Sequence, residues 1–272
     1  MLSIIVSSHK QDFFEQFSEN IKKTIGNIPY EIIQIWNPAL MSICQAYNKG
    51  AKSAKYDHLL FMHEDTLFLT ENWGEILFEK YFSLPNVGVL GMAGDKHKFK
   101  MPYGFSSGIK GCGFISVYHE RKIKISNVNY PIPVKVLDGV FLAMKREVYE
   151  KYPFDETLSG FHFYDVDISL RVSENYQNYV INDFFIFHFS EGNFGNQWLQ
   201  AAIDFNKREH YNFDKSNYAQ RKRVRRYWYK RLKKEKISFS MRLKFLMAMK
   251  ICFLSFFRAM IFLFYQNKNE TK

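Results

Sequence analysis

Cysteine is scarce in this chain: Cys44, Cys112 and Cys252 are odd in number and far apart. They form no CxxC pair and no disulfide framework, which excludes a stapled secreted scaffold and points to a reducing compartment. No uncharged run reaches the roughly 20 residues that a spanning helix needs. Met1 to Ser7 is apolar but too short for a signal peptide and has no basic leader, so it reads as a first buried strand. Internal repeats are absent. Acidic residues all but disappear after position 218: residues 219–272 hold 16 Lys and Arg against Glu235 and Glu270, a net charge of +14, and residues 1–218 carry −3. The chain is a mildly acidic body with a strongly basic tail, which is a statement about partners more than about fold.

What is present fits a packed protein. Hydrophobic residues make up 47% and the 28 phenylalanines help bring aromatics to 18%, which argues against disorder over most of the 272 residues. That length suffices for one large α/β domain with an appendage. Ser3 to Ser7 and Glu31 to Trp36 are short runs rich in β-branched residues, and Phe13, Phe14, Phe17, Ile21 and Ile25 recur between them at helical spacing. Ser42 to Ala54 reads as a second helix, with Gly50 as its end signal, and Leu59 to Met62 as a third strand. A helix over Glu71 to Tyr81 and a strand over Val87 to Gly91 continue the alternation, which predicts a mostly parallel sheet flanked by helices. The stretch from Gly94 to Pro133 is irregular. Beyond it, Val134 to Met144 reads as a strand interrupted by Asp138-Gly139, and Tyr179 to Phe189 as a strand between helices at Asp165 to Tyr176 and Trp198 to Tyr211.

Four clusters carry chemistry. The apolar run Leu59-Leu60-Phe61-Met62 stops at His63-Glu64-Asp65. Acidic residues just past a buried strand sit where α/β proteins place ligands, and paired carboxylates suit a hard divalent cation and, through it, a diphosphate. The plainer reading is a turn or helix cap. Asn48, one helix earlier, either offers its amide to a nucleotide or is an ordinary surface residue. In Gly160-Phe161-His162-Phe163-Tyr164-Asp165 a loop gives way to a helix, and Asp165 at that start is either an N-cap or a carboxylate kept ionised by the helix dipole. An ionised carboxylate in a cleft is what deprotonation of a sugar hydroxyl requires. Asp167 and Arg171, four apart, are placed to pair. His188, ending the aromatic run Phe184 to Phe187, is a core histidine or a metal and diphosphate ligand.

Together these pieces resemble family 2-type glycosyltransferases of the GT-A fold, in the bacterial glycosyltransferase-like subgroup. The resemblance covers residues 1 to about 210. It is carried by SIIVSSH, AYNKGAKSAKYDHLLFMHED, VGVLGMAG, VLDGVFLAMKREVYEKYPFDE, GFHFYDVDISLR and the late His188, in that order. It implies a catalytic domain over 1–217 that moves a sugar from a nucleotide-diphosphate donor to a glycan or lipid-linked hydroxyl, inverting and dependent on Mn²⁺ or Mg²⁺, in bacterial surface polysaccharide synthesis. By the resemblance, Asp65 and His188 would hold the metal and Asp165 would be the base. Ser7, Ser8, Asn37, Asn48, His63 and Glu64 would border the nucleotide, and Asp138, Gly139 and His162 would line the donor-sugar and acceptor side. His63 stands in place of the usual first Asp of the acidic triplet, Tyr164 in place of a frequent Glu, and Trp36-Asn37-Pro38 in place of an acidic pair.

Residues 218–272 are expected to form a basic and amphipathic helical tail. Ten basic residues lie between Arg221 and Lys236, with Tyr227, Trp228 and Tyr229 among them. Phe245, Met249, Cys252, Phe253, Phe256, Phe257, Met260, Leu263 and Phe264 then share one broad helical face, as in a helix lying in a membrane interface. The expected location is cytoplasmic, peripheral on the inner face of the cell membrane. A tail packed on its own domain or on a second subunit, giving a homodimer, is the alternative. Nucleic acid is not an expected partner, because it does not call for a Phe-rich helix directly after the basic run. A catalytically degenerate nucleotide-sugar-binding protein is a further alternative. A sugar-nucleotide pyrophosphorylase would want a glycine-rich loop after the first strand, and Ser7 to Asp12 contains no glycine.

Overall fold

The computed structural model describes residues 1–250 apart from 116, 119–129, 191, 193 and 234. The chain opens with β1 (Leu2–Ser8), α1 (Gln11–Thr24), β2 (Tyr30–Trp36), α2 (Ile43–Ser53), β3 (His58–His63) and β4 (Thr66–Phe68). Next come α3 (Trp73–Ile76), continued by a π-helical turn over Leu77–Tyr81, then β5 (Val87–Gly91), β6 (Ala93–Asp95), β7 (Gly113–Ile115) and β8 (Val117–Tyr118). The second half holds β9 (Ile132–Val134), β10 (Val136–Leu137), β11 (Phe141–Lys145), α4 (Arg146–Lys151), α5 (Tyr164–Val172), β12 (Gln177–Val180) and β13 (Ile186–His188). Three helices follow: α6 (Asn196–Lys207), α7 (Tyr218–Leu232) and α8 (Phe239–Ala248).

A seven-stranded sheet in the order β2-β1-β3-β11-β5-β12-β9 forms the centre. Five of its strands run one way, while β11 and β9 run against them. The mostly parallel α/β architecture expected from the sequence is therefore the one observed. Strand alternation divides the core in two. Leu2, Ile4, Val6, Leu60, Met62, Leu90, Phe141 and Ala143 face Phe17 and Ile21 of α1 and Trp73 of α3. Ile5, Leu59, Phe61, Val89, Leu142 and Met144 face the helices on the other side. Each of the large apolar side chains so buried contributes about 1.5–3 kcal/mol before conformational entropy is subtracted.

Local chemistry explains most boundaries and three departures. Helix α2 begins where expected because Ser42 and Gln45 form a reciprocal capping box. It runs on past Gly50, which is there because a Cβ would strike the Ile5 side chain, not because the helix ends. The run Val134 to Met144 is not one strand: β10 joins β6 and β7 in a small sheet, while β11 enters the main sheet between β3 and β5. Tyr179 to Phe189 likewise splits, since the chain bends at Asp183-Phe184 and Asp183 is held by the Tyr81 hydroxyl at 2.7 Å. The remainder, β13, pairs with β4 and β8 in a third sheet.

Candidate functional site

Parallel strands end on the same side of a sheet, so the C-termini of β1, β2 and β3 gather Ser7, Ser8, Asn37 and His63 along one edge. Because β11 runs the other way, its entry turn, Asp138-Gly139-Val140, reaches that edge too. The third sheet adds His188. Its antiparallel register sets His188 opposite Thr66, and Phe189 N–H donates to the Asp65 carbonyl at 3.0 Å.

Three side chains converge there. His188 Nε2 lies 3.2 Å from Asp65 Oδ1 and 3.4 Å from His63 Nδ1, and Ser190 Oγ is 3.1 Å from the same nitrogen. One ligand atom from each of His63, Asp65 and His188 falls within 4.8 Å of the others. Two imidazole nitrogens and one carboxylate oxygen form a donor set that fits a divalent transition metal. Burial pushes the Asp65 carboxyl up, but the hydrogen bond and charge of His188, with His63 and Ser190, outweigh it and hold the group well below the usual range. Burial, and then His188, lower the His63 pKa.

Beside this cluster stands a pair of carboxylates. Gly139 N–H donates to Asp165 Oδ2 at 3.1 Å, Val166 N–H donates to Asp165 Oδ1 at 2.8 Å, and Val140 N–H donates to Asp138 Oδ1 at 3.0 Å. Burial, followed by the charge of Asp138, pushes the Asp165 carboxyl up to about 7. This corrects the expectation that the helix dipole keeps Asp165 ionised: the dipole is worth at most about 2 kcal/mol, and desolvation with a like charge outweighs it. Asp165 is not the N-cap either. That position is Phe163, with a left-handed φ of 67°, fixed in place by stacking on Phe205 and a tilted contact with Trp198. Strain of this kind persists where packing over-determines it.

Tyr164 links the two groups, and sequence reasoning gave it no role. Its hydroxyl donates to Gly139 O at 3.1 Å and sits 2.8 Å from His63 Nε2. Gly139 is required, since a Cβ there would collide with that hydroxyl. The only signal in the sequence was a tyrosine directly before Asp165. His162 lies partly buried on the loop leading into α5, and burial lowers its pKa.

The remaining candidates have protein partners. Asn37 donates to Ser7 Oγ at 3.3 Å and to Met41 O at 3.0 Å, and accepts from Met41 N–H at 3.0 Å. Ser8 Oγ accepts from Gln34 at 2.8 Å. Glu64, buried, accepts from the backbone N–H groups of His9 and Lys10 and pairs with His9 Nδ1 at 2.8 Å. Asn48 lies apart from the rest: its amide meets Tyr149 Oη, both backbone groups of Phe154, and Glu156. Asp167 pairs with Arg171 as the spacing suggested, and also accepts from Tyr211 at 2.6 Å.

The basic segment is a well-capped helix. Asn217 and Gln220 form its capping box, and Val224, Trp228 and Leu232 pack into the main core. Trp228 stacks on Trp198 at 4.9 Å and donates to Ser106 O. Phe245 and Met249, expected on a membrane-facing surface, are instead core residues. The rest of that face, from Cys252 on, lies outside the described residues. No helix among the described residues is long and apolar enough to cross a membrane.

The mixed α/β fold is shared with GT-A glycosyltransferases of known structure. GalNAc-T7 with UDP, GalNAc and Mn²⁺ superposes at a TM-score of 0.52 over 70% of this chain, at 11% identity. TarS 1-349 of S. aureus in complex with UDP-GlcNAc gives 0.51 over 91% of the chain, at 12% identity. The chain spans 44% of the GalNAc-T7 chain and 79% of the TarS fragment. Residues 3–227 match the glycosyltransferase-like family, and the chain belongs to it. No curated protein matches the chain by sequence.

Proposed function

We propose that this protein transfers a sugar from a nucleotide-diphosphate donor to a hydroxyl of a glycan or lipid-linked acceptor, with inversion at the anomeric carbon. The observation that carries the reading is Asp165, a carboxylate with a pKa near 7, anchored on the same turn as Asp138 and joined through Gly139 and Tyr164 to the His63–Asp65–His188 cluster. A base poised near neutrality is suited to accept a hydroxyl proton. In the reaction Asp165 takes that proton, the acceptor oxygen forms its bond to the anomeric carbon, and the bond to the diphosphate oxygen breaks on the opposite face. No covalent enzyme intermediate forms. Asp65 and His188 would hold a divalent cation, Mn²⁺ or Mg²⁺, which when bound neutralises charge on the leaving diphosphate. Ser7, Ser8 and Asn37 shape the nucleotide end, Glu64 fixes the loop beside it, and Asp138 and His162 face the sugar and acceptor.

The relatives of known structure carry UDP or UDP-GlcNAc, which makes uridine donors the first to test. Release of nucleoside diphosphate from a panel of nucleotide sugars, with Mn²⁺ and acceptor mixtures, tests the activity. Asp165→Asn is expected to lose transfer and keep donor binding. Equal loss of both would remove Asp165 as the base.

The tail supports a membrane-surface acceptor at the inner face of a bacterial membrane, as in surface polysaccharide synthesis. Lys222, Arg223, Arg226 and Lys230 are exposed on α7 and Lys233 just after it, and Phe239 and Met247 are exposed on α8. Each basic side chain near anionic lipid adds about 1 kcal/mol. Replacing Lys222, Arg226 and Lys230 by Glu is expected to abolish sedimentation with phosphatidylglycerol vesicles. Unchanged sedimentation would show that α7 is not the anchor.

A further inference from the structure

We propose that Ser169 is a positioning residue for the reaction: its hydroxyl clamps the start of α5 to the turn after β10 and so sets how close Asp165 stands to Asp138; this rests on the reading of Asp165 as the base. Ser169 is fully buried. Its hydroxyl has one hydrogen, which goes to Asp165 O at 2.6 Å, and its oxygen accepts from Leu137 N–H at 3.1 Å. The flanking N–H groups of Lys135 and Asp138 go to β6, to Asp95 O at 2.9 Å and Ala93 O at 2.8 Å, and Leu137 N–H turns to α5. A serine inside a helix commonly bonds back to the carbonyl four residues earlier. Here the same oxygen also takes a hydrogen from another element. One hydroxyl therefore holds the main chain of Asp165 and that of Leu137, the residue before Asp138.

A second tie closes the far end of the clamp, where Gly139 N–H donates to Asp165 Oδ2 at 3.1 Å. Leu137-Asp138-Gly139 is thus bound to Asp165 at both ends, through Ser169 and through Gly139, with Asp138 between. The clamp is itself anchored in the sheet. Asn178 on β12, also fully buried, donates to Ser169 O at 2.9 Å and to Lys135 O at 3.3 Å, and accepts from Val89 N–H of β5 at 3.0 Å. Satisfied buried networks of this kind hold one arrangement. Loss of the Ser169 hydroxyl leaves Leu137 N–H without its acceptor, and the turn regains one only by moving or by admitting water. Moving takes Asp165 away from Asp138 and water ends its desolvation, so both bring its pKa down from about 7 toward the ordinary carboxylate range. The other titratable groups near Asp165 are Tyr164 beside it, Tyr47 on α2 and Lys98 after β6. Burial raises both tyrosines and lowers Lys98 to about 7, so the titration has to be read on the Asp165 carboxyl itself.

The test follows the side-chain carboxyls of isotope-labelled aspartate by NMR in the full chain, with the Asp165 signal assigned by its absence from Asp165→Asn. Wild type, Ser169→Ala and Asn48→Ala are titrated and assayed for transfer. Ser169→Ala is expected to titrate at lower pH than wild type, with kcat lower by about 10- to 100-fold and KM for the donor unchanged. Asn48→Ala removes buried hydrogen bonds away from the carboxylates, so its Asp165 titration and kcat should match wild type. That contrast separates a clamp from general loss of stability. Should Ser169→Ala fail to fold, Ser169→Cys carries the test: a thiol is a weak donor and acceptor, and the titration should shift the same way. An Asp165 titration and kcat unchanged in either folded variant would overturn the proposal. A titration that shifts in Ser169→Ala while Asp165→Asn still transfers sugar would leave the clamp standing and instead remove Asp165 as the base.

Discussion

At the ends of β1 and β2, polar side chains answer one another. Asn37 bonds Ser7 and both backbone groups of Met41, Ser8 holds Gln34, and Glu64, reaching over from the end of β3, collects two backbone N–H groups and His9 after β1. At the ends of β3 and β13 and the start of α5 the groups that meet are titratable. Two histidines and an aspartate each bring a ligand atom within 4.8 Å of the others, and Asp165 on α5 bonds the turn that carries Asp138 and is pushed up to about 7. Closed networks rigidify a structure and specify one arrangement. Groups with perturbed ionisation that can each offer a ligand atom are what chemistry needs, and they are gathered in the second region.

Substitutions that separate these regions follow in order of size. The largest effect belongs to Asp165→Asn, which should lower kcat by about 10²- to 10⁴-fold with little change in donor affinity, measured in steady state. Next is Asn48→Ala in the closed group. It strands Tyr149 Oη and the backbone of Phe154 at about 1–3 kcal/mol for each buried group left unmet, so a fall in Tm should come without loss of nucleotide binding below the transition.

A third effect is in pH. The Asp165 pKa rises from 3.8 to about 7 on folding. The folded chain therefore keeps a proton that the unfolded chain releases, and stability from this group falls as pH rises from about 4 through 7. Denaturation midpoints of Asp165→Asn should be flatter across that window and higher than wild type at pH 8. Activity should run the other way in wild type, with kcat/KM rising to a plateau above about pH 7. The smallest effect is Glu64→Gln, which keeps an acceptor oxygen but loses the charge, costing about 1 kcal/mol in stability.

Much of the fold was legible because strand and helix periods are strong in the first 91 residues, and the capping box at Ser42 marked a boundary. Both missed breaks lie beside polar pairs, Asp138-Gly139 and Asn182-Asp183, that the sequence does show. Val136, Leu137 and Phe141 around the first are all fully buried, so hydropathy does not say that the chain leaves one sheet for another there. The site was legible as separate motifs but not as a constellation. His63 and Tyr164 are 101 positions apart, and no local pattern announces their contact. The charge state of Asp165 was misjudged for a related reason: its helix is visible in the sequence, and its desolvation beside Asp138 is not. In the tail, a helical wheel identifies an apolar face without saying what covers it. For Phe245 and Met249 the cover is the protein's own core.

The most direct test of the division between the two regions is a thermal-shift titration of nucleoside diphosphates, with and without Mn²⁺, on wild type, Asp65→Ala and Asn48→Ala. The account predicts stabilisation of wild type by one nucleotide only when Mn²⁺ is present, loss of that shift in Asp65→Ala, and its survival, from a lower starting Tm, in Asn48→Ala. A metal-dependent shift that persists in Asp65→Ala, or one that vanishes in a folded Asn48→Ala, would contradict it.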